Sequence, residues 1–248
     1  MRDSPTVRLF HVESLAGDVV ELPSAEAHHA LGVLRLGDGE GVELFDGRGG
    51  RVTGTIQRTG KNAAAVHVTR REILTERPWP QVELAFAVPK GKRLDWLLEK
   101  ATELGVSRLC PVIFERSVAT PELSEHARER WMGACLAAAK QCRSAFLPEL
   151  AEPAEFSAYL ATCPAEDRLL GDPAAAESMS QALASWSPPR RIALLVGPEG
   201  GLTPAETAAA IEAAWRPVRL GNYILRTETA ALALLAGVNA CCSSPSPK

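Results

Sequence analysis

No apolar run in this chain of 248 residues reaches the length of about eighteen that a membrane-spanning helix needs, so a bilayer protein is not expected. The six cysteines show no paired Cys-x-x-Cys spacing, and reduced thiols are expected. The opening MRDSPTVRLF lacks the basic-then-apolar build of a secretory leader, and a cytoplasmic protein is expected. His28 and His29 stand together without other clustered ligands, so no metal site is expected. Neither a GxGxxG fingerprint nor the GxxxxGK-Ser/Thr loop occurs, which excludes the two common phosphate cradles. Charge of either sign is not in excess: 27 Lys and Arg face 30 Asp and Glu, a formal charge of -3. Global attraction to nucleic acid is therefore absent, and any RNA contact must come from a local basic patch. There is no internal repeat and no long low-complexity tract.

What is present fits a globular protein of one or two domains, with 46% apolar and 23% charged residues. From Val7 to about Val68, short apolar runs alternate with turn residues (RLFHV, VVEL, GVELFDG, RVTGTI, AAVHVT), which predicts a β-rich barrel. Asp46 to Gly50 reads as a hairpin loop, and Ser24 to Leu34 as a short helix plugging one end. Arg77-Pro78-Trp79-Pro80 closes this part with a stiff connector. The rhythm then changes. VELAFAV, a helix through Leu94, Leu97, Leu98, Ala101 and Leu104, and LCPVIF form a strand-helix-strand crossover. A long helix from Glu122 to Arg143, a strand at Leu169-Leu170-Gly171 and a helix from Met179 to Trp186 follow, giving five or six strands alternating with helices.

The rest of the chain is organised around residues 192–240. Ile192 to Val196 reads as a strand buried on both faces of a parallel sheet, and it stops at the turn Gly197-Pro198-Glu199-Gly200-Gly201. Thr203-Pro204-Ala205-Glu206 is a complete capping box, so a helix begins at Pro204 and runs to about Trp215. A strand Val218-Arg219-Leu220 leads to a second turn at Gly221, and the last helix opens at Ile224. Two glycine turns at the carboxyl ends of adjacent strands make a crevice with backbone groups free to bind a ligand. Lys90, Lys92 and Arg93 cluster where a strand meets a helix; cations there oppose the helix dipole, and RNA phosphate is a candidate counter-ion. Arg8, Arg35 and Arg51 are candidates for an RNA surface on the β-rich part.

GPEGG with Leu-Thr-x-x-Glu, then Leu220-Gly221-x-x-Ile224-Leu225-Arg226-Thr227-Glu228-Thr229-Ala230, resembles the bacterial 16S ribosomal RNA (uracil-N3)-methyltransferase family of the SPOUT superfamily. The resemblance also takes in KGKRLDWLLEKATELGV from Lys90, Arg116-Ser117-Val118, Gln141-Cys142-Arg143 and HHALGVLRLGDGEGVELFDGRG. It departs at Tyr223, where the family usually has Arg, and at Lys140, where it usually has Glu. The resemblance implies an α/β fold with a SPOUT-type parallel sheet and a carboxy-terminal trefoil knot. A PUA-like, RNA-binding β-barrel is expected over 1–73, a methyltransferase domain over 80–242 and a disordered tail over 243–248. It implies S-adenosyl-L-methionine as cofactor, 16S ribosomal RNA in the small subunit as partner, a homodimer, and N3-methyluridine as product. The cofactor is expected against Leu170, Val196, Gly197, Gly200, Gly201, Leu220, Gly221, Ile224 and Leu225. RNA is expected at Arg8, Arg35, Lys90, Lys92, Arg93, Arg116, Arg143 and Tyr223. Glu199 is a candidate base and Arg226 a candidate stabiliser of the uracil anion; both are equally suited to holding the turns through backbone hydrogen bonds. Glu228 is expected to cap the last helix or to pair with Arg226. The competing reading is a non-catalytic RNA-binding or ribosome-assembly factor on the same fold, which donor binding would separate from the enzyme.

Overall fold

The structure, a computed structural model, describes residues 7–74, 76–78, 80–118, 124–184 and 191–242. Trp79, Glu122, Trp186, Pro188, Pro189 and the expected tail at 243–248 lie outside the described residues. The chain divides into two compact units, Met1–Arg77 with Ala139–Leu147, and Pro78–Ala138 with Pro148–Lys248.

The first unit contains β1 (Arg8–His11), β2 (Val19–Glu21), α1 (Ser24–His28), β3 (Gly41–Phe45), β4 (Gly50–Gly60) and β5 (Ala63–Ile73). They form a five-stranded sheet in the order β1-β3-β4-β5-β2, antiparallel except for β1 on β3. The alternation read from the sequence is real: in β4 Val52 and Ile56 face a core with Phe10, Val42, Leu44 and Val66. Asp46 makes the predicted hairpin loop, its Oδ1 accepting from the N–H of Arg48 (2.8 Å) and of Gly50 (2.9 Å). The expected short helix is α1 continued by a π turn over His29–Val33, with Ala27 and Ala30 fully buried in the same core. Residues 139–147 belong here through backbone bonds, Gly49 N–H to Ala145 O (3.0 Å) and Leu147 N–H to Gly47 O (2.9 Å), and through charged side chains. Arg143, at φ +60°, donates to Val7 O (3.0 Å) and to Glu43 (2.6 Å), and Lys140 pairs with the buried Glu26.

The second unit contains β6 (Gln81–Ala87), α2 (Lys92–Glu103), β7 (Arg108–Ile113), α3 (Glu125–Cys142, whose last turn counts with the first unit), β8 (Glu149–Leu150), β9 (Ala154–Glu155), α4 (Phe156–Thr162) and β10 (Asp167–Gly171). It continues with α5 (Met179–Ala184), β11 (Arg191–Val196), α6 (Pro204–Glu212), β12 (Arg216–Val218) and α7 (Thr227–Cys242). A parallel sheet in the order β12-β10-β11-β6-β7-β8, with β9 also on β7, runs through it. The run at 192–196 lies near its centre and is buried on both faces. Ile192, Leu194 and Val196 join a core with Leu97, Leu98, Leu234 and Val238, while Ala193 and Leu195 join Phe156, Tyr159 and Trp215 on the other side.

Four sequence expectations need correction. Among the described residues the sheet has seven strands rather than five or six, because β8 and β9 are two-residue pairings onto β7 with no apolar run of their own. The strand expected at Val218–Leu220 is β12, two residues earlier; it contains Pro217, which an edge strand tolerates because a missing N–H there breaks no ladder. α6 ends at Glu212 rather than Trp215, and Ala214 turns the chain at φ +62°. α7 begins at Thr227, not Ile224.

Candidate cofactor and active site

The carboxyl ends of three strands converge in the second unit. β10 delivers Leu170, Gly171 and Asp172; β11 delivers Val196, Gly197, Pro198 and Glu199; the chain after β12 delivers Arg219, Leu220 and Gly221. Together with Tyr223, Ile224, Leu225 and Thr227 they line a cavity of about 220 Å³. The strands that carry the two glycine turns are not adjacent, as the sequence suggested, because β10 lies between them. Its own end supplies a third wall, of which Leu170 was expected against the cofactor and Gly171 and Asp172 were not.

The first turn is fastened from several sides. Thr227 Oγ1, buried at the start of α7, donates to Gly197 O at 3.1 Å, and the Gly201 N–H closes the turn on Pro198 O at 2.8 Å. Gly201 stands at φ +69°, where a side chain would be strained. A Cβ on Gly197 would come within 2.2 Å of Leu202 Cδ1, so this glycine lets the turn fold back on its own helix. Arg116 Nη1 donates to Gly200 O at 3.0 Å, and Arg93 Nη1 lies 3.2 Å from Glu199 Oε1. The capping box predicted at Thr203 is complete: Glu206 N–H donates to Thr203 Oγ1 (3.2 Å) and Thr203 N–H to Glu206 Oε2 (2.8 Å).

Of the nine residues expected to hold the cofactor, eight line the cavity; Gly200 does not, because its backbone is turned to Arg116. Glu199 lines the cavity and is engaged by Arg93. Arg226 lines a second, open cleft with Lys92, Arg93, Trp96, Ile224, Leu225, Glu228 and Thr229. The expected pairing of Glu228 with Arg226 is not among the ion pairs of the described residues. Glu228 is 5% exposed, and its Oε2 has no hydrogen-bond partner among the described residues. Tyr223 lines the first cavity while standing 85% exposed. Arg8, Arg35, Lys90 and Arg116 are exposed, whereas Arg143 and Arg51 are spent within the first unit, Arg51 donating to Arg143 O at 2.5 Å. Sequence reasoning missed Asp172, Arg219 and Thr227 in the first cavity, and Trp96 and the buried side of Glu228 in the second.

The lining can serve a particular kind of ligand. Leu170, Val196, Leu220 and Leu225 give apolar walls for a flat ring, and the backbone of the two turns supplies polar edges. Asp172 and Glu199 place carboxylates beside them, which suits a ligand that carries positive charge. An adenosyl group bearing a sulfonium and an amino acid has this combination, so the residues present fit it.

Comparison with known proteins agrees with this geometry. An RNA methyltransferase domain model matches residues 75–239, and an RNA methyltransferase PUA domain model matches residues 22–69. The Ribosomal RNA small subunit methyltransferase E of Synechocystis sp. is 33% identical over 235 residues, covering 92% of this chain and 75% of its own. The protein of the same name from Bacillus subtilis is 30% identical over 245 residues, covering 93% and 95%. The crystal structure of a Ribosomal RNA small subunit methyltransferase E from Neisseria gonorrhoeae bound to S-adenosyl methionine superposes with a TM-score of 0.85, at 29% identity, covering 94% of this chain and 97% of that one.

Proposed function

The chain belongs to the RNA methyltransferase family whose domain model spans its residues 75–239, and from that premise we propose that it is an S-adenosylmethionine-dependent methyltransferase forming N3-methyluridine in 16S ribosomal RNA of the small subunit. The observation that carries the reading is the cavity at three parallel strand ends, lined by Leu170, Val196, Leu220 and Leu225 and by the side chains of Asp172 and Glu199, with Arg219 beside them. Leu170, Val196, Leu220 and Leu225 would hold the adenine, and Asp172 and Glu199 would face the charged end. When bound, the donor supplies a methyl group that is already electrophilic on sulfur. The protein's work is then mostly positional: it fixes the uracil nitrogen in line with that methyl, and needs no metal to do so. Thr227, Arg116 and Arg93 hold the first turn in place before any ligand arrives, which lowers the ordering cost of binding.

The RNA is gripped, on this reading, by the first unit through Arg8 and Arg35 and by the second through Lys90, Lys92, Arg93 and Arg116, with phosphates fixing register and the flipped base read separately. The PUA model match over residues 22–69 supports the first of these assignments. A trefoil knot and domain limits of 1–73 and 80–242 belong to the same reading, supported by the strand order β12-β10-β11-β6 and by the family match. The protein works as a homodimer in the cytoplasm; the exposure of Tyr223 and Ile224 (85% and 86%) supports the dimer, and among the described residues no helix is long and apolar enough to cross a membrane.

The test uses small ribosomal subunits from a strain lacking the activity, incubated with the protein and labelled donor. Primer extension should stop at one uridine, and mass spectrometry should identify N3-methyluridine, since a methyl there removes the pairing hydrogen. Label on ribose, on carbon or only on protein would overturn the uracil-N3 assignment.

A further inference from the structure

We infer that Glu228 is the catalytic base that takes the N3 proton, acting in a base-binding cleft formed by Trp96, Arg226 and the first turn of α2, which shares Ile224 and Leu225 with the donor cavity. This deepens the proposed function and rests on it.

Burying a carboxylate is costly unless it is paired, and 5% exposure with an Oε2 that meets no donor among the described residues leaves Glu228 with an unmet need inside the protein. The other carboxylate considered for the role is already occupied: Glu199 is 35% exposed on its side chain and held by Arg93 at 3.2 Å. Glu228 lines the cleft that also holds Trp96, a ring left 44% exposed on α2. A buried acceptor beside an exposed aromatic face suits one ligand class, a flat base that stacks on the ring and donates an N–H. Uracil in its neutral form has one such group on its pairing edge, N3–H, while its two carbonyls can only accept. Arg226, Lys92 and Arg93 border the same cleft and are placed to meet those carbonyls or the backbone phosphate. Ile224 and Leu225 line both this cleft and the donor cavity, so the two hollows adjoin there and the two ligands would meet beside these residues.

In the step, the N3–H bond breaks and its proton passes to Glu228. The nitrogen pair forms the bond to the methyl carbon, and the carbon–sulfur pair stays on the donor sulfur, leaving a neutral thioether and a neutral methylated base. The charged groups lining the cleft with Glu228 are Lys92 and Arg93 from α2 and Arg226 from the loop before α7. Of the other elements packed on α7, α5 has no charged residue, the Glu83 of β6 is bound to Arg108 and Tyr159, and the charges of β10 and β11 stand at the strand starts.

The experiment pairs single-turnover methyl transfer to unmodified small subunits with binding measured in the absence of transfer. Glu228→Gln should slow transfer at neutral pH by about a hundredfold or more, as loss of a general base does, while calorimetry finds donor affinity within about twofold of wild type. Its rate should climb with pH at close to tenfold per unit, since hydroxide must then remove the proton. Trp96→Ala should weaken binding of a uridine-containing RNA about tenfold without donor present, and Trp96→Phe should restore most of it. A wild-type rate in Glu228→Gln, or a slowed rate with the wild-type pH profile, overturns the base assignment. Should Glu228→Gln fail to fold, equal RNA affinity in Trp96→Ala and wild type overturns the cleft. Failure of the proposed function itself reads differently: wild type would then leave uridine N3 unmethylated.

Discussion

Arg93 Nη1 and Glu199 Oε1 lie 3.2 Å apart, and each belongs to a different hollow: Glu199 lines the cavity at the strand ends, Arg93 the cleft beside it. The pair therefore ties the first glycine turn to the amino terminus of α2. Both side chains are more than a third exposed, so its worth to global stability is at most about 1 kcal/mol. Arg116 holds the next residue of the turn through Gly200 O at 3.0 Å. The double variant Arg93→Ala/Arg116→Ala should melt close to wild type, yet show faster amide exchange over residues 198–202 and about tenfold weaker donor binding. Exchange and affinity both at wild-type values would mean that these arginines do not organise the turn.

Thr203 caps α6, and Glu206 returns the bond while its Oε1 accepts the Glu115 N–H at 2.9 Å. Thr203→Ala should cost about 1 kcal/mol, and so lower Tm by about 2–4 °C. Glu206→Ala should cost more, because it also leaves the Glu115 amide without its acceptor. Calorimetric melting of the two variants checks the order, and a smaller loss for Glu206→Ala would show that the contact to Glu115 is idle.

These two sites also mark how far the sequence could be read. Thr203-Pro204-Ala205-Glu206 and the run at 192–196 were legible because capping chemistry and unbroken apolarity are local properties, and both are present as expected. β8 and β9 were not, since two residues carry no period and become strands only by pairing with β7. Ile224 and Leu225 have the apolar spacing of a helix start, but Ile224 is 86% exposed and the helix waits for Thr227, whose hydroxyl binds Gly197 O. Eight of the nine residues expected against the cofactor line the cavity, Leu170 from a strand end and the others from around the two turns, but nothing local reveals that Glu228 Oε2 is buried without a partner among the described residues, because that depends on what α2 and the loop before α7 bring to it. Lys140 shows the same limit. It stands where the family usually has Glu, and only the fold puts the buried Glu26 beside it.

Cysteine reactivity gives an independent check on the core. Burial raises the Cys110, Cys135 and Cys163 thiols, with Cys110 raised further by the nearby Glu83 carboxylate, whereas Cys142 and Cys241 are exposed. Because the thiolate is the reactive form, a raised thiol stays protonated and inert at neutral and mildly alkaline pH. Alkylation at pH 8 followed by peptide mass spectrometry should label Cys142 and Cys241 quickly, and the three buried thiols only in denaturant. Fast labelling of Cys110 in the native protein would contradict the packing of β7 against α4.

Ile224 and Tyr223, 86% and 85% exposed, sit together on the loop that lines the donor cavity, and the proposed homodimer would cover them. Burying one isoleucine side chain is worth about 1.5–3 kcal/mol, and a twofold interface counts the residue twice. Ile224→Asp loses this and adds two charges to the contact, so the dimer dissociation constant should rise by a hundredfold or more. Sedimentation equilibrium at micromolar concentration should then find mostly monomer, against dimer for the wild type. Donor affinity should fall with it, because Ile224 lines the donor cavity and loses its cover. Tyr223→Phe should leave both properties close to wild type, since a ring buried by a partner needs no hydroxyl, and Tyr223→Ala should weaken both. A wild-type protein that sediments as a monomer would remove the dimer from the reading, and an Ile224→Asp variant that stays dimeric would place the interface away from this loop.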